Sequence, residues 1–344
     1  MRTRRERRDR RNAGRFAVAL LVAFCVLWAL ASRGSLDRYW AALSPAAPRE
    51  PVDEAWMAKI RQLAAARRVP PVDARLDPVW KAIPGYNGLE VDVEQSYWKA
   101  RAMGVVSAEA LVYRQVPPKV QLDDLMPAPI YKGNPQKPVV GLMVNVSWGT
   151  EWIGPMLDIL RREGVRATFF LDGSWVTKNP DVAKQIAAAG HEIGNHGYSH
   201  PLFSRISTVR IEQEIARTNE VIERTVGVRP RLLAPPAGDY DERTVRLAWQ
   251  AFGMKTILWT LDTVDWKRPP ASTIVQRIVP RVHGGALILM HPTEPTVKAL
   301  PVLLRGIRDK GLIPSTVSDC LSPERMPGPF PQQKINDEAG RGFD

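Results

Sequence analysis

The fold of this chain is constrained most by a regular alternation of apolar runs and amphipathic segments that begins near residue 138. The run PVVGLMVNV (138–146) has the length of a buried strand, and EWIGPMLDILRREG (151–164) follows it with apolar residues at helical spacing. About seven such units follow one another over roughly 185 residues, and they include a predicted helix at 207–227 and a predicted strand at 254–261. This alternation predicts an α/β fold with a parallel sheet. The number of units favours a distorted β/α barrel, closed or partly open, with a doubly wound sheet as the alternative.

The segments that flank this region have a different texture. Residues 45–135 are punctuated by prolines and carry no sustained period, apart from a predicted helix at 53–68 and a short predicted strand that contains Leu89. We expect an accessory region or structured stalk there, ahead of the barrel-like domain at 136–321. Residues 322–344 have almost no apolar content, which is typical of a disordered tail.

The first 34 residues have the pattern of an export segment. Residues 1–15 contain eight arginines, and residues 16–31 contain no charge at all. Arginines followed by an apolar run are typical of a secretion signal or an N-terminal membrane anchor. We expect residues 1–34 to form a signal anchor, with cleavage near Ala31 as the alternative. Either arrangement places residues 35–344 outside the cytoplasm.

Charge and cysteine content exclude several classes of function. The net charge is +12, but eight arginines against Glu6 and Asp9 put +6 of it in residues 1–15. Because no basic run alternates with aromatic residues elsewhere, we expect no nucleic-acid partner. Cys25 lies in the apolar segment 16–31, and Cys320 lies near the other end of the chain. Two cysteines placed in this way indicate neither a disulfide framework nor a thiolate metal site. We expect a monomer.

The stretch HEIGNHGYSH (191–200) holds three of the five histidines of the chain. His191 and His196 are five residues apart, which excludes the His-Glu-x-x-His signature of zinc proteases. His196 and His200 are four residues apart, so one helical turn or a tight loop would bring both rings to one side. The spacing therefore makes His196 and His200 candidates for a shared metal, and leaves open whether they bind one.

Polar or turn residues follow five of the predicted strands. In a β/α barrel the residues at the carboxyl ends of the strands form the site. The residues at these positions are Asn145, His196, His200, Pro235, Pro236, Asp262, Asp265 and His291.

Five short blocks within residues 137–321 resemble the polysaccharide deacetylases in order and spacing. The first block is MVNVSWG, and the other four are ATFFLDGSWV with GHEIGNHGYSHP, RLLAPPAG, WTLDTVDW and LILMHP. The resemblance implies a distorted β/α barrel and a divalent metal, usually zinc. It also implies hydrolysis of N-acetyl groups on chitin-like, peptidoglycan or related polysaccharides.

The resemblance also implies roles for individual residues. His196 and His200 match the two histidine ligands of the metal. His291 matches the general acid, and Asp262 or Asp265 matches the aspartate that pairs with it.

The first and third blocks depart from the family pattern. Asn145 stands where the family has its catalytic base, and Val146 stands where it has an aspartate ligand. An amide cannot take a proton at neutral pH, and valine offers no lone pair. Ala234 and Ala237 replace the arginine that orients the base and a tyrosine of the third block. A third ligand would then come from the amide oxygen of Asn145 or from Glu151.

Further residues near the strand ends are candidates for substrate binding. Aromatic rings can stack on sugars, and prolines shape the loops around a groove. These candidates are Trp148, Pro235, Pro236, Ala237 and Trp266.

The Trp-Gly-x-Glu ending of the first block and the upstream stretch IPGYNGLEVDVEQSY resemble a divergent subgroup of deacetylase-like proteins of sporulating bacteria. Two hypotheses follow. In the first, the chain is a metal-dependent carbohydrate N-deacetylase with a rearranged base and third ligand. In the second, it is a non-catalytic glycan-binding homologue that acts in cell-wall or spore assembly.

Overall fold

The computed structural model describes residues 52–326. The predicted export segment at 16–31 lies outside the described residues. Within the described part of the chain, no helix is both long enough and apolar enough to span a membrane. The chain divides into two compact units, Met1–Lys59 and Ile60–Asp344. The predicted barrel and all the site residues belong to the second unit.

Short elements precede the main sheet. They are α1 (Glu54–Ala66), β1 (Arg75–Asp77), β2 (Lys81–Ile83), β3 (Gly88–Val91), α2 (Val93–Met103) and β4 (Tyr113–Val116). β1 pairs with β2 and β3 pairs with β4, both antiparallel. α2 begins directly after β3 because the carboxylate of Asp92 accepts the Gln95 N–H at 2.9 Å and caps the helix.

The main sheet contains eight parallel strands. They are β5 (Val139–Val146), β6 (Thr168–Leu171), β7 (Glu192–Asn195), β8 (Leu232–Leu233), β9 (Lys255–Thr256), β10 (Leu261–Asp262), β11 (Leu287–Met290) and β12 (Ile313–Ser315). Seven of them follow the order β10-β11-β5-β6-β7-β8-β9, and β12 pairs with β5. The predicted α/β fold with a parallel sheet is confirmed in this form.

Eight helices accompany these strands within the described residues. They are α3 (Thr150–Arg162), α4 (Gly173–Lys178), α5 (Pro180–Ala188), α6 (Thr208–Val226), α7 (Glu242–Phe252), α8 (Ala271–Ile278), α9 (Glu294–Asp309) and α10 (Val317–Leu321). The predicted helix at 207–227 closely matches α6, which starts after the Ser207 cap and ends at Gly227, where φ is 73°.

The two faces of the sheet lie in different cores. Along β5, Val144 and Val146 pack in the cluster that the helices cover, whereas Val139 and Met143 pack in an inner cluster. Neighbours alternate between faces because the side-chain period of a strand is two. The inner cluster joins residues of β5, β6, β8 and β11, which requires the sheet to curl into a half-barrel.

The predicted strand at 254–261 is divided between the two edges of this half-barrel. Its first part forms β9 and pairs with β8, and its last part leads into β10, which pairs with β11. At the kink, the Leu258 N–H donates to the Ile130 carbonyl at 2.8 Å, and Gly133 N–H donates to Gly285 at 2.7 Å. Residues 130–133 thus lie along the gap between the two edges.

The segment that follows α10 is hydrogen-bonded to the region around β3 and β4. The Asn87 N–H donates to the Pro323 carbonyl at 2.8 Å, and the Arg325 N–H donates to Gln115 Oε1 at 2.8 Å. Residues 322–326 of the predicted tail are therefore held in place. Residues 327–344 lie outside the described part.

Candidate functional site

The inner face of β5 brings Asn145 to the site. Asn145 is two residues beyond Met143, so it shares the inner face, and its side chain is 3% exposed. Its register partner on β6 is Phe170, whose partner on β7 is Gly194. Val146 points to the opposite face and is fully buried against the helices. The two residues that replace the family aspartates therefore do not face the same way.

His196 follows β7 and is held in one tautomer. Its backbone N–H donates to the Leu171 carbonyl at 3.0 Å, and its ring Nδ1 lies 2.7 Å from the Ala234 carbonyl oxygen. A carbonyl oxygen accepts only, so Nδ1 carries the proton and Nε2 keeps its lone pair. Burial, then the neighbouring His200, lowers the pKa of His196 to about 3, which keeps this ring neutral.

His200 lies beside His196 in the loop that follows β7. The two ring centroids are 5.2 Å apart with the planes at 74°. The backbone of His200 has a φ of 59°, in the left-handed region that favours glycine. The predicted pair of histidines is therefore brought together by a tight loop and not by a helix.

A buried glutamate on α6 fixes this loop. Glu214 is 1% exposed, and its Oε2 accepts the backbone N–H groups of Tyr198 and Ser199, both at 2.7 Å. Its Oε1 accepts the Ser199 hydroxyl at 2.7 Å and pairs with Arg210 at 2.7 Å. The guanidinium of Arg217, one turn further on, lies 3.7 Å from the centroid of the Tyr198 ring. One helix face thus orders the residues immediately before His200.

His291 follows β11 and is paired with Asp265. One oxygen of the Asp265 carboxylate lies 2.7 Å from His291 Nδ1, and the other accepts the His291 backbone N–H at 2.6 Å. The Thr296 hydroxyl donates to the second oxygen at 2.5 Å. Asp262 instead accepts the Val264 N–H at 2.7 Å and caps a turn. Of the two aspartates that the sequence left open, Asp265 contacts the histidine.

Two tryptophans border this pair. The Trp148 ring stacks on His291, with centroids 5.8 Å apart and planes at 9°, and the residue is 40% exposed. Trp266, next to Asp265, is 52% exposed, and Lys267 Nζ lies 4.9 Å from its ring centroid. Exposed aromatic faces beside polar groups can stack on sugar rings.

The third block lies against His196. Pro235 and Pro236 are buried, whereas Ala237 is exposed and adopts a φ of 55°. The Ala234 carbonyl is the atom that fixes the tautomer of His196. This block therefore acts here through its backbone.

The side chains that could bind the metal implied by the family resemblance lie around the His196–His200 pair. The free Nε2 of His196 and the adjacent His200 fit a divalent cation. Asn145 Oδ1, on the inner face of β5, is a buried oxygen without a hydrogen-bond partner. Among residues 52–326, no three histidine, cysteine or acidic side chains are arranged to hold a metal, so Glu151 does not complete a triad. The pair of histidines therefore fits a divalent cation, and within the described residues no acidic or thiol side chain joins the pair as a third ligand.

Asp172 is the acidic residue at the end of β6, but its carboxylate already has a structural role. Its Oδ1 accepts the Trp175 N–H at 2.9 Å and the Ser174 hydroxyl at 2.7 Å, which caps α4. Burial raises the pKa of Asp172. It therefore contributes to the electrostatics near His200 without joining the ligand set.

Sequence reasoning missed Glu214, Thr296 and Ser147. Glu214 had a detectable signal, because an acidic residue on the apolar face of an amphipathic helix is rarely left unpaired. Ser147 Oγ is another buried oxygen without a partner. Nothing in the sequence distinguishes it from an ordinary loop serine.

The chain is similar to several known proteins. The family model for polysaccharide deacetylase matches residues 132–257. The Bacillus subtilis protein YlxY is 44% identical over 90% of this chain and 97% of its own length. A peptidoglycan-N-acetylglucosamine deacetylase of Bacillus cereus is 33% identical over 53% of this chain and 67% of its own length.

The fold is also similar to that of a CE4 family pseudoenzyme from Bacillus anthracis. The TM-score is 0.74 at 39% identity, over 78% of this chain and 96% of the pseudoenzyme chain. A mutant of that pseudoenzyme with restored enzymatic activity gives the same TM-score at 38% identity, over 78% of this chain and 99% of the mutant chain.

Proposed function

Because the chain belongs to the polysaccharide deacetylase family, we propose that it acts on N-acetyl groups of a cell-wall-type polysaccharide such as peptidoglycan. The reaction is hydrolysis of a non-peptide carbon–nitrogen bond. The observation that carries this proposal is the Asp265–His291 pair, because amide hydrolysis needs an acid that protonates the leaving amine.

His291 would act as that acid through Nε2, since Nδ1 is held by Asp265. Asp265 is fully buried and holds His291 through one hydrogen bond to the ring Nδ1 and one from the backbone N–H. This arrangement places a donor at a fixed position beside the exposed face of Trp148.

His196 and His200 would hold a divalent cation, zinc by analogy with the family. Such a cation, when bound, polarises the acetamide carbonyl and acidifies a water molecule. The neutral state of His196 favours this role, because a protonated ring cannot act as a ligand.

This chain has no carboxylate at the position of the family's general base. Asn145 occupies the inner-face position of the base, and its amide accepts hydrogen bonds without taking a proton. We propose that hydrolysis by the natural chain is slow for this reason.

A non-catalytic glycan-binding protein is the second candidate. It is favoured by the amide at Asn145 and by the similarity to a pseudoenzyme from Bacillus anthracis. In that case the exposed tryptophans and the ordered histidine loop recognise the polysaccharide during cell-wall or spore assembly.

Location and assembly complete the proposal. We propose that residues 16–31 anchor the protein in the membrane and that residues 35–344 act outside the cytoplasm. Peptidoglycan is accessible only on that side. We also propose that the protein is a monomer.

An acetate-release assay tests the function. The full chain, loaded with zinc, cobalt or manganese, is incubated with N-acetylated chitooligosaccharide and with peptidoglycan, beside the His196→Ala and His291→Ala variants. Acetate above both variants supports the deacetylase. Saturable glycan binding without acetate release supports the second candidate. The absence of both acetate release and glycan binding would contradict the proposal.

A further inference from the structure

An open groove lies along α6, beside the loop that carries His200. Its volume is about 390 Å³, which is room for a substituent of a polymer and not merely for one water molecule. Tyr198 lines the groove and precedes His200 by two residues, so their Cα atoms are at most about 7 Å apart. The residues that line the groove are Tyr198, Arg210, Gln213, Glu214, Ala216, Arg217 and Glu220.

The Tyr198 ring is fixed against α4 and covered by Arg217. A Cβ atom at Gly173 would lie 2.5 Å from Tyr198 Cδ2, so this close approach requires glycine. The Ser174 N–H donates to the Tyr198 carbonyl at 2.9 Å. The guanidinium carbon of Arg217 lies 3.7 Å from the ring centroid, a distance at which the planar group lies flat on the ring. The ring is therefore a rigid support for the guanidinium.

The donors of Arg217 are available to a ligand. The residue is exposed, and within residues 52–326 its guanidinium has no carboxylate partner. A face-to-face contact with an aromatic ring uses none of the five N–H donors of a guanidinium. Arginine binds carboxylate and phosphate groups through two parallel N–H···O bonds. Arg217 thus presents a pre-positioned pair of donors for an oxyanion.

The other charged side chains of the groove are paired with each other or with a neighbour. Glu214 is 1% exposed and pairs with Arg210 at 2.7 Å. Glu220 pairs with Arg224 at 3.4 Å. Arg217 therefore contributes one positive charge that no acidic side chain of the groove neutralises, and one such charge suits a monoanionic group such as a carboxylate.

We infer that Arg217, supported by Tyr198, binds a carboxylate carried by the peptide substituents of the polysaccharide. The inference rests on the proposed function and narrows its substrate class to a polysaccharide with acidic peptides, as in peptidoglycan. A chitin-type chain offers no carboxylate to this groove. Arg217 is a specificity residue here, because it contacts a substituent of the sugar chain and takes no part in the hydrolysis.

Two variants separate the charge of Arg217 from its packing. Arg217→Met keeps an unbranched apolar side chain against Tyr198 and removes the charge and the donors. Arg217→Lys keeps the charge and loses the planar pair of donors. Arg161→Met is the matched control, because Arg161 is an exposed residue of α3 that pairs with Asp158 outside the groove. It changes the net charge by the same amount as Arg217→Met.

The experiment measures binding by calorimetry on the full chain treated with EDTA, so that no metal ion can bind the carboxylate. The ligands are a peptidoglycan disaccharide–tetrapeptide, the same compound with its carboxylates amidated, and N-acetylated chitotetraose. For the acidic ligand, we expect Arg217→Met to weaken binding by about 10-fold, Arg217→Lys by a few-fold and Arg161→Met by less than about two-fold. The two neutral ligands should bind all four proteins equally.

Salt provides a second readout. The affinity of the natural chain for the acidic ligand should fall as the salt concentration rises, because the pair is partly exposed to solvent. The affinity of Arg217→Met for the same ligand should depend less on salt. Equal salt dependence in the two proteins would contradict an ion pair at Arg217.

Four further results would overturn the inference. The first is an affinity of Arg217→Met for the acidic ligand within about two-fold of the natural chain. The second is an equal loss for acidic and neutral ligands, which would make Arg217 a brace of the histidine loop. The third is an equal loss in Arg161→Met, which would reduce the effect to net charge. The fourth is tighter, Arg217-dependent binding of poly(glycerol phosphate), which would assign the groove to a phosphodiester.

The proposed function can fail separately from this inference. If the natural chain binds neither the disaccharide–tetrapeptide nor chitotetraose, the proposed action on a polysaccharide is contradicted. If it binds both with equal affinity in every variant, the proposed function stands and the role of Arg217 is contradicted.

Discussion

Asp265 forms two hydrogen bonds with His291. One carboxylate oxygen lies 2.7 Å from the ring Nδ1, and the other accepts the backbone N–H at 2.6 Å. The Ala234 carbonyl oxygen accepts a hydrogen bond from the Nδ1 of His196 at 2.7 Å. Both histidines therefore present Nε2 to the site. Two unrelated acceptors, a carboxylate and a peptide carbonyl, therefore select the same tautomer in the two rings.

Asp265→Asn should weaken the acid. Asparagine cannot accept both N–H groups, so His291 loses its fixed orientation, and we expect acetate release to fall on the order of 10²–10⁴-fold. The effect is measured in the Asn145→Asp background, where turnover is easier to detect. Glu294→Gln is the control, because that exposed residue pairs with Lys298 on the surface of α9. Equal rates for both variants would contradict the role of Asp265.

Glu214→Gln should loosen the histidine loop. An amide cannot accept the Tyr198 and Ser199 N–H groups together with the serine hydroxyl, so at least one buried donor is left unpaired, at a cost of about 1–3 kcal/mol. Hydrogen exchange at the Tyr198 and Ser199 amides should accelerate. Glu220→Gln, on the same helix and exposed, should leave both amides protected. Unchanged exchange in Glu214→Gln would contradict the assignment.

His191 should make the fold sensitive to mild acid. Burial, and secondarily Arg166, lowers its pKa from 6.5 to about 4, and Nδ1 accepts the Ala167 N–H at 3.1 Å. Below pH 6.5 the unfolded chain binds a proton that the folded chain refuses, so stability falls as the pH drops towards 4.

The measurement is urea unfolding at pH 7 and pH 5. His191→Gln removes this titration, so the difference in unfolding free energy between the two conditions should shrink by about 2 kcal/mol. An identical difference in the variant and the natural chain would show that His191 is protonated equally in both states.

Val146→Asp should destabilise the protein without creating a ligand. The Val146 side chain is fully buried against the helices, so a carboxylate there is unpaired and costs about 3–5 kcal/mol. Ser147→Asp, one position beyond the end of β5 and only partly buried, should cost much less. Thermal unfolding of the two variants tests this. A Val146→Asp variant that is as stable as Ser147→Asp would contradict this, because the side chain at position 146 would then have left the face that packs against the helices.

Periodicity in the sequence predicts the strands and helices from residue 138 onward, because buried strands and amphipathic helices leave strong patterns. The spacing of His196 and His200 predicts that the two rings lie close together, and the family resemblance gives them their expected role. The sequence does not predict that the strand at 254–261 is divided between two sheet edges, because a kink depends on which neighbours supply hydrogen bonds. It also does not predict the contacts of Glu214 or of the Ala234 carbonyl, because tertiary packing creates them. The alignment placed Val146 beside Asn145 at the site, but strand pleating separates the two residues.

The central claim is that this site retains the acid of a deacetylase and lacks its base at Asn145. The most direct test compares acetate release from N-acetylated chitooligosaccharide by the natural chain and by Asn145→Asp, both loaded with zinc. We predict that Asn145→Asp is faster by at least about 10²-fold, because a carboxylate at this position can take the proton of the attacking water. Equal rates for the two proteins, whether both are fast or both are absent, would contradict the claim.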